Sequence, residues 1–235
     1  MILIKEKWTK KDIDEFQDYL VSLENKNKLD WTKNILNTSM PVLAIKSPVI
    51  KDIVKDIFKG NYESFLDFMV WDYYENTAIN GFLISKIKDF NKVKKYLDIY
   101  SNKADNWATC DLLSFNIKGC EKEYFNLLEK YIKSDKPFVR RIGIVILFNF
   151  VKNDEYVDNI FKILNKFYNE EHYYVNMINA WLLCECFIKH RDKSIEFLDT
   201  HKLNKFTINK AIQKCRDSYR VSKEDKDMLL KYKVK

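Results

Sequence analysis

Residues 121–168, EKEYFNLLEKYIKSDKPFVRRIGIVILFNFVKNDEYVDNIFKILNKFY, decide the fold class. Over 121–133 the apolar residues Tyr124, Leu127, Leu128, Tyr131 and Ile132 fall at i, i+3, i+4, i+7 and i+8, which is one stripe of a helix. Over 155–168, Tyr156, Val157, Ile160, Phe161, Leu164 and Phe167 make a second such stripe. Between them 139–151, VRRIGIVILFNFV, is apolar nearly all round once its two arginines are passed. Its β-branched content leaves a strand open, but both neighbours are helical, so it reads as a buried central helix with a polar start. Pro137 suits the first turn of that helix, with Ser134 or Asp135 as its cap.

Working outward, Ser47 and Pro48 followed by Val49, Ile53 and Ile57 mark another capped helix start. Further helices are expected at about 10–25, 31–38, 62–71, 76–88, 91–101, 105–116, 173–190, 192–199, 205–219 and 224–232. The links are short, and no Ser/Gly/Pro-rich linker divides the 235 residues, so the expectation is one all-α domain over 1–235. Only 4 glycines and 3 prolines occur, which argues against sandwiches, barrels and doubly wound sheets. The glycines lie too far apart for a phosphate-cradling loop, so P-loop and dinucleotide fingerprints are absent. Consecutive helix pairs suggest a HEAT-like or ARM-type solenoid, whose repeats run to roughly 40 residues. Trp107, Arg141 and Trp181 are spaced by 34 and 40 residues and would line one concave groove if each lay on an inner helix. A compact bundle without a groove is the alternative.

Lysines and arginines number 41 against 34 acidic residues, a net charge of +7. Residues 201–235 alone hold eleven basic and four acidic residues, so this end carries the whole excess. Such an end favours nucleic acid or anionic lipid, or is a solvated, frayed terminus such as Lys226–Lys235. The five cysteines are odd in number and irregularly spaced, and no secretory signal precedes them, so reduced thiols and a cytoplasmic location are expected. Cys184 and Cys186 lack two further ligands nearby, so no metal and no cofactor are expected.

Trp107 and Asp111 stand at i and i+4 in DNWATCD, an indole and a carboxylate one helical turn apart, with Asp105 or Asn106 as cap. That pairing stabilises positive charge developing on a substrate; a half-buried Trp beside an acid paired to lysine is the plainer reading. Arg140 and Arg141 open the most apolar helix and need a phosphate, a groove or a carboxylate, Asp111 among the candidates for Arg141. Trp181, near Tyr173 and Tyr174, either stacks on a ligand or packs in the core. The histidines show no triad spacing and no G-x-S-x-G occurs.

From about Leu43 to Gln213 the chain resembles the AlkD-like DNA alkylation-repair glycosylases. VLAIKSPVIKDIVKDI is similar to that family's "LGI-x-x-P" helix pair and VWDYYENTAINGFLI to its "LW…E-x-x…A" repeat. NWATCD, PFVRRIGIVIL and VNMINAW resemble the elements that carry its groove Trp and Asp, its Arg and its second Trp. The resemblance implies a monofunctional glycosylase for cationic N3- and N7-alkylated purines, acting on duplex DNA without a base-flipping pocket and as a monomer. It implies that Asp111, Trp107 and Trp181 work on the deoxyribose and that Arg141, with Arg140 beside it, contacts phosphate. WLLCEC departs from the family's "W-x-L-R-E": Cys184 replaces a DNA-contacting arginine, Glu185 is retained, and Met177 stands at a basic position. The basic end is the expected compensation. A non-catalytic duplex-binding relative and a protein-interaction scaffold are the alternatives.

Overall fold

The computed structural model describes residues 1–235 as fourteen α-helices with short 3₁₀ turns and no strand. The chain forms two compact units, Met1–Cys120 and Glu121–Lys235.

The first unit holds α1 (Lys10–Ser22), α2 (Leu29–Leu36), α3 (Ser47–Lys59), α4 (Tyr62–Leu66), α5 (Tyr74–Lys86), α6 (Phe90–Ser101) and α7 (Trp107–Asp111). Thr9 starts α1 with a reciprocal cap: its hydroxyl accepts from the Asp12 amide while the Asp12 side chain accepts from the Thr9 amide. Trp8, Phe16 and Phe65 meet edge to face at 4.9–5.8 Å and anchor the core under α1. The α3 and α6 helices both pack on α5, and α5 is buried on nearly every side, which is why its sequence shows little amphipathic pattern.

The second unit holds α8 (Glu121–Tyr131), α9 (Pro137–Leu147), α10 (Val157–Asn165), α11 (Tyr173–Lys189), α12 (Arg191–Thr200), α13 (Lys205–Asp217) and α14 (Lys223–Met228). Here α9, α11 and α13 lie side by side as one layer, with α8 packed on α9 and α12 on α11, the arrangement of stacked helical hairpins. The stretch 139–151 is helical through Leu147, and Val139 together with residues 141–147 is buried. Gly143 lets α8 close onto α9: a Cβ there would lie 2.9 Å from the Ile132 side chain.

Three sequence expectations change. Neither Ser47 nor Ser134 or Asp135 caps its helix; Lys46 and Lys136 occupy those positions without a side-chain bond, and Pro48 and Pro137 in the first turns do the work. The helix expected at 62–71 stops at Leu66, and Met69 takes a left-handed φ of 39° to bury its side chain. The helix expected at 105–116 is only one turn, Trp107–Asp111. Beyond it Leu113 and Phe115 are buried while Ser114 is exposed, an alternation that extended backbone satisfies and a helix does not.

Candidate functional site

In the first unit, α7 carries Trp107 and Asp111 at its two ends, both partly exposed. One turn of helix is unstable alone, so its position depends on its anchors. Buried Asn106 caps it by accepting from the Thr109 amide at 3.1 Å. Asp105 does not cap; its carboxylate accepts from the Thr38 hydroxyl at 2.7 Å and the Ser39 amide at 2.9 Å, tying α7 to the segment after α2. The Trp107 indole N–H donates to the Ile35 carbonyl in the last turn of α2 at 3.1 Å. From below, the buried Tyr100 hydroxyl donates to the Thr109 carbonyl at 2.7 Å, and burial holds the Tyr100 phenol well above its ordinary pKa, so it stays a donor. Cys110, next to Asp111, is fully buried and serves packing.

In the second unit, Trp181 is 40% exposed on α11, its ring 4.7 Å from that of Phe148. Its indole N–H donates to Glu185 one turn on, at 3.3 Å. The same carboxylate forms an ion pair with Arg220, whose Nη1 donates to Oε2 at 2.9 Å. That guanidinium holds the Glu185 carboxyl below the usual carboxylate range. Trp181, Glu185 and Arg220 are therefore one hydrogen-bonded group at the surface of this unit. Arg220 lies in the basic end and was not singled out from the sequence; its partner is 35 residues away, beyond any local pattern.

The two arginines that open α9 behave differently from expectation. Arg140 was expected to grip phosphate. Instead it forms a two-point ion pair with Glu170, at 2.8 Å for each bond, and donates to the Ser134 and Asp135 carbonyls at 2.9 Å. Its charge is neutralised and most of its donors are occupied, so it fixes the turn into α9 and offers little to a phosphate. Arg141 is buried at 5% exposure and donates to the Tyr174 carbonyl on α11. Cys184 corrects a further expectation: it faces inward, 3% exposed, hydrogen-bonded to Cys215 of α13. The position is interior in this chain, so no surface contact is lost by having cysteine there. That bond lowers the Cys184 pKa and, with burial, pushes Cys215 up. Burial, helped by the neighbouring Glu185 and Cys184, lifts Cys186 to about 12, which makes it inert.

An all-helical chain with paired-helix stacking is consistent with a helical-repeat solenoid. The family described as DNA alkylation repair enzyme matches residues 16–215, and the chain belongs to that family. No curated protein matches the chain.

Proposed function

We propose that this protein is a monofunctional DNA glycosylase that releases cationic N3- and N7-alkylated purines from duplex DNA. The observation that carries the reading is the Trp107–Asp111 pair, held on one turn by four independent anchors and left partly open to solvent. An N-alkylated purine already carries positive charge. As its C1′–N bond breaks, the electron pair leaves with the base, which departs neutral, and the charge passes to the sugar as an oxocarbenium ion. Asp111 stabilises that charge electrostatically and orients the water whose oxygen bonds to C1′, the proton going to solvent. A fixed carboxylate does this without the reorganisation that water would need, which is why the anchoring of α7 matters. Trp107 supplies a ring face beside the carboxylate, and Trp181, exposed on the second unit, is a ring face open to nucleic acid. Arg220, exposed and oriented by Glu185, is the phosphate contact that we assign in place of Arg141, which is buried, and Arg140, which is ion-paired.

The test is release of 7-methylguanine and 3-methyladenine from alkylated duplex DNA. Asp111→Asn keeps the shape and removes the charge, and the expected loss of release is about 100- to 1000-fold, with duplex binding retained. Equal release by both proteins ends the reading. A non-catalytic duplex-binding protein is the second reading, favoured by the neutralised Arg140; it requires salt-dependent binding with no base release from the unaltered chain.

A further inference from the structure

At the end of the second unit an open cavity of about 790 Å³ lies between α13 and the segment that follows α14. Its size falls in the range of small-ligand sites, roughly 300–1,000 Å³. Lys205, Lys210, Arg216 and Lys233 line it; the side chains of Lys205, Arg216 and Lys233 have no hydrogen-bond or ion-pair partner, while Lys210 donates to Gln213 at 3.1 Å. That sets Arg216 apart from the other four arginines. Arg140, Arg191 and Arg220 are each ion-paired with a carboxylate, and Arg141 is bonded to a carbonyl. Asp217, the one acid on the wall, pairs with none of the three. The cations stand on both walls of the cavity. Lys205 and Arg216 come from the two ends of α13, and Lys233 is fixed because Asn209 of α13 both donates to the Val234 carbonyl and accepts its amide, at 2.9 and 3.0 Å. The rest of the wall includes the ring of Phe206, 37% exposed, and Leu230, 42% exposed.

We infer that this cavity is a nucleotide site: it takes a phosphorylated nucleoside unit, the phosphate against the cations of its wall and the base against Phe206. Four cations against one acid make this wall positive, and a bound anion is the ligand that such a wall attracts. An exposed aromatic ring at their edge selects a planar, apolar body attached to that anion over a bare anion. The unit comes either from a free nucleotide or from one residue of a nucleic-acid strand. The site shares no residue with the Trp107–Asp111 turn and involves no base release, so it holds or fails independently of the glycosylase reading. Its outer wall, including Arg216, Leu230 and Lys233, lies beyond the residues that match the family.

The experiment uses the full chain and two undamaged probes: adenosine monophosphate by titration calorimetry and a 5′-phosphorylated thymidine hexamer by fluorescence anisotropy. The triple variant Lys205→Glu, Arg216→Glu, Lys233→Glu changes exposed side chains only, and helical circular dichroism verifies its fold. A charge-matched control, Lys122→Glu, Lys152→Glu, Lys162→Glu, changes lysines that do not line the cavity. The expected result is at least about a tenfold weakening of one probe or both in the triple variant and less than about threefold in the control. Phe206→Ala is expected to weaken the same probe about tenfold, the scale of one base stacked on an aromatic ring. If adenosine monophosphate binds and displaces the hexamer, a free nucleotide is sufficient; if only the hexamer binds, the unit belongs to a strand. Equal losses in the triple variant and the control overturn the proposal. So does competition by inorganic phosphate as strong as by adenosine monophosphate with Phe206→Ala silent, because the site is then selective for phosphate alone.

Discussion

Ala44 holds φ at +54°, the left-handed region where an L side chain is strained by about 1–2 kcal/mol. The related "LGI-x-x-P" pattern has glycine at this position. The strain persists because Glu75, 1% exposed, accepts from the Leu43 amide at 3.0 Å and the Ile45 amide at 3.2 Å, locking both peptide flanks. Ala44→Gly removes the clash at some cost in unfolded-chain entropy, so we expect a net gain of about 0.5–1 kcal/mol in denaturant unfolding. Glu75→Gln replaces one acceptor oxygen by a donor facing an amide, and should cost about 1–3 kcal/mol. The pH dependence of that cost is fixed in sign. Burial raises the Glu75 pKa in the folded state, so the native state binds the proton more tightly than the unfolded chain does. Its contribution is full below the unfolded value near ~4.3 and is lost as pH rises through the folded value. The stability gap between the unaltered chain and Glu75→Gln should therefore widen on acidification; a gap that narrows would show that Glu75 is not the buried proton acceptor described.

Among the elements, α7 owes its position to α5 and α6, which touch it where the side chain is smallest. A Cβ on Gly81 would lie 2.5 Å from the Leu112 side chain and 2.7 Å from the Tyr100 hydroxyl, the group that holds the Thr109 carbonyl. Overpacking of this kind costs about 1–3 kcal/mol, against which alanine's better helix propensity returns about 1. Gly81→Ala should thus destabilise by about 1 kcal/mol and, by shifting Tyr100, should lower base release while leaving duplex binding in place. Binding and release measured side by side check this; unchanged release would mean that α7 does not depend on Gly81. This dependence also shows what a single sequence makes legible. Helices with a proline start, such as α3, or a clear 3.6-residue apolar period, such as α8 and α10, could be read directly. The Trp107–Asp111 pair could be read as well, because both residues and the Asn106 cap fall within six positions. The brevity of α7 could not, since Leu113 and Phe115 follow their own burial partners. Nor could the fates of Arg140 and Asp105 be read, because Glu170 lies thirty residues off and Thr38 and Ser39 lie 67 and 66 residues off. Local pattern fixes which stretch is helical. Which charge is already neutralised is a tertiary fact.

At the scale of the whole molecule, the open question from composition is whether the basic end is a frayed, solvated terminus. In the structure it is part of the second unit. Leu229 is 1% exposed and closes an apolar space with Leu183, Phe187, Leu198, Ala211, Ile212 and Cys215. Val221 is also buried, at 6%. Polar ties repeat the message: Arg191 to Asp225, Tyr232 to Asp199 at 2.8 Å, and Asn209 to both backbone groups of Val234. The exposed ion pair adds little, but burying a Leu and a Val contributes about 1.5–3 kcal/mol each. Deleting residues 218–235 should therefore cost the second unit about 3–6 kcal/mol, seen as a lower denaturant midpoint, and it removes Arg220 from Glu185. Deleting only 233–235 forfeits the Asn209 clamp and should cost about 1 kcal/mol. The two truncations thus separate packing from charge. If the longer deletion unfolds no more easily than the shorter one, Leu229 and Val221 are not core, and the +7 charge of residues 201–235 rides on a loose tail instead of on a fixed surface that can present Arg216 and Arg220 to phosphate.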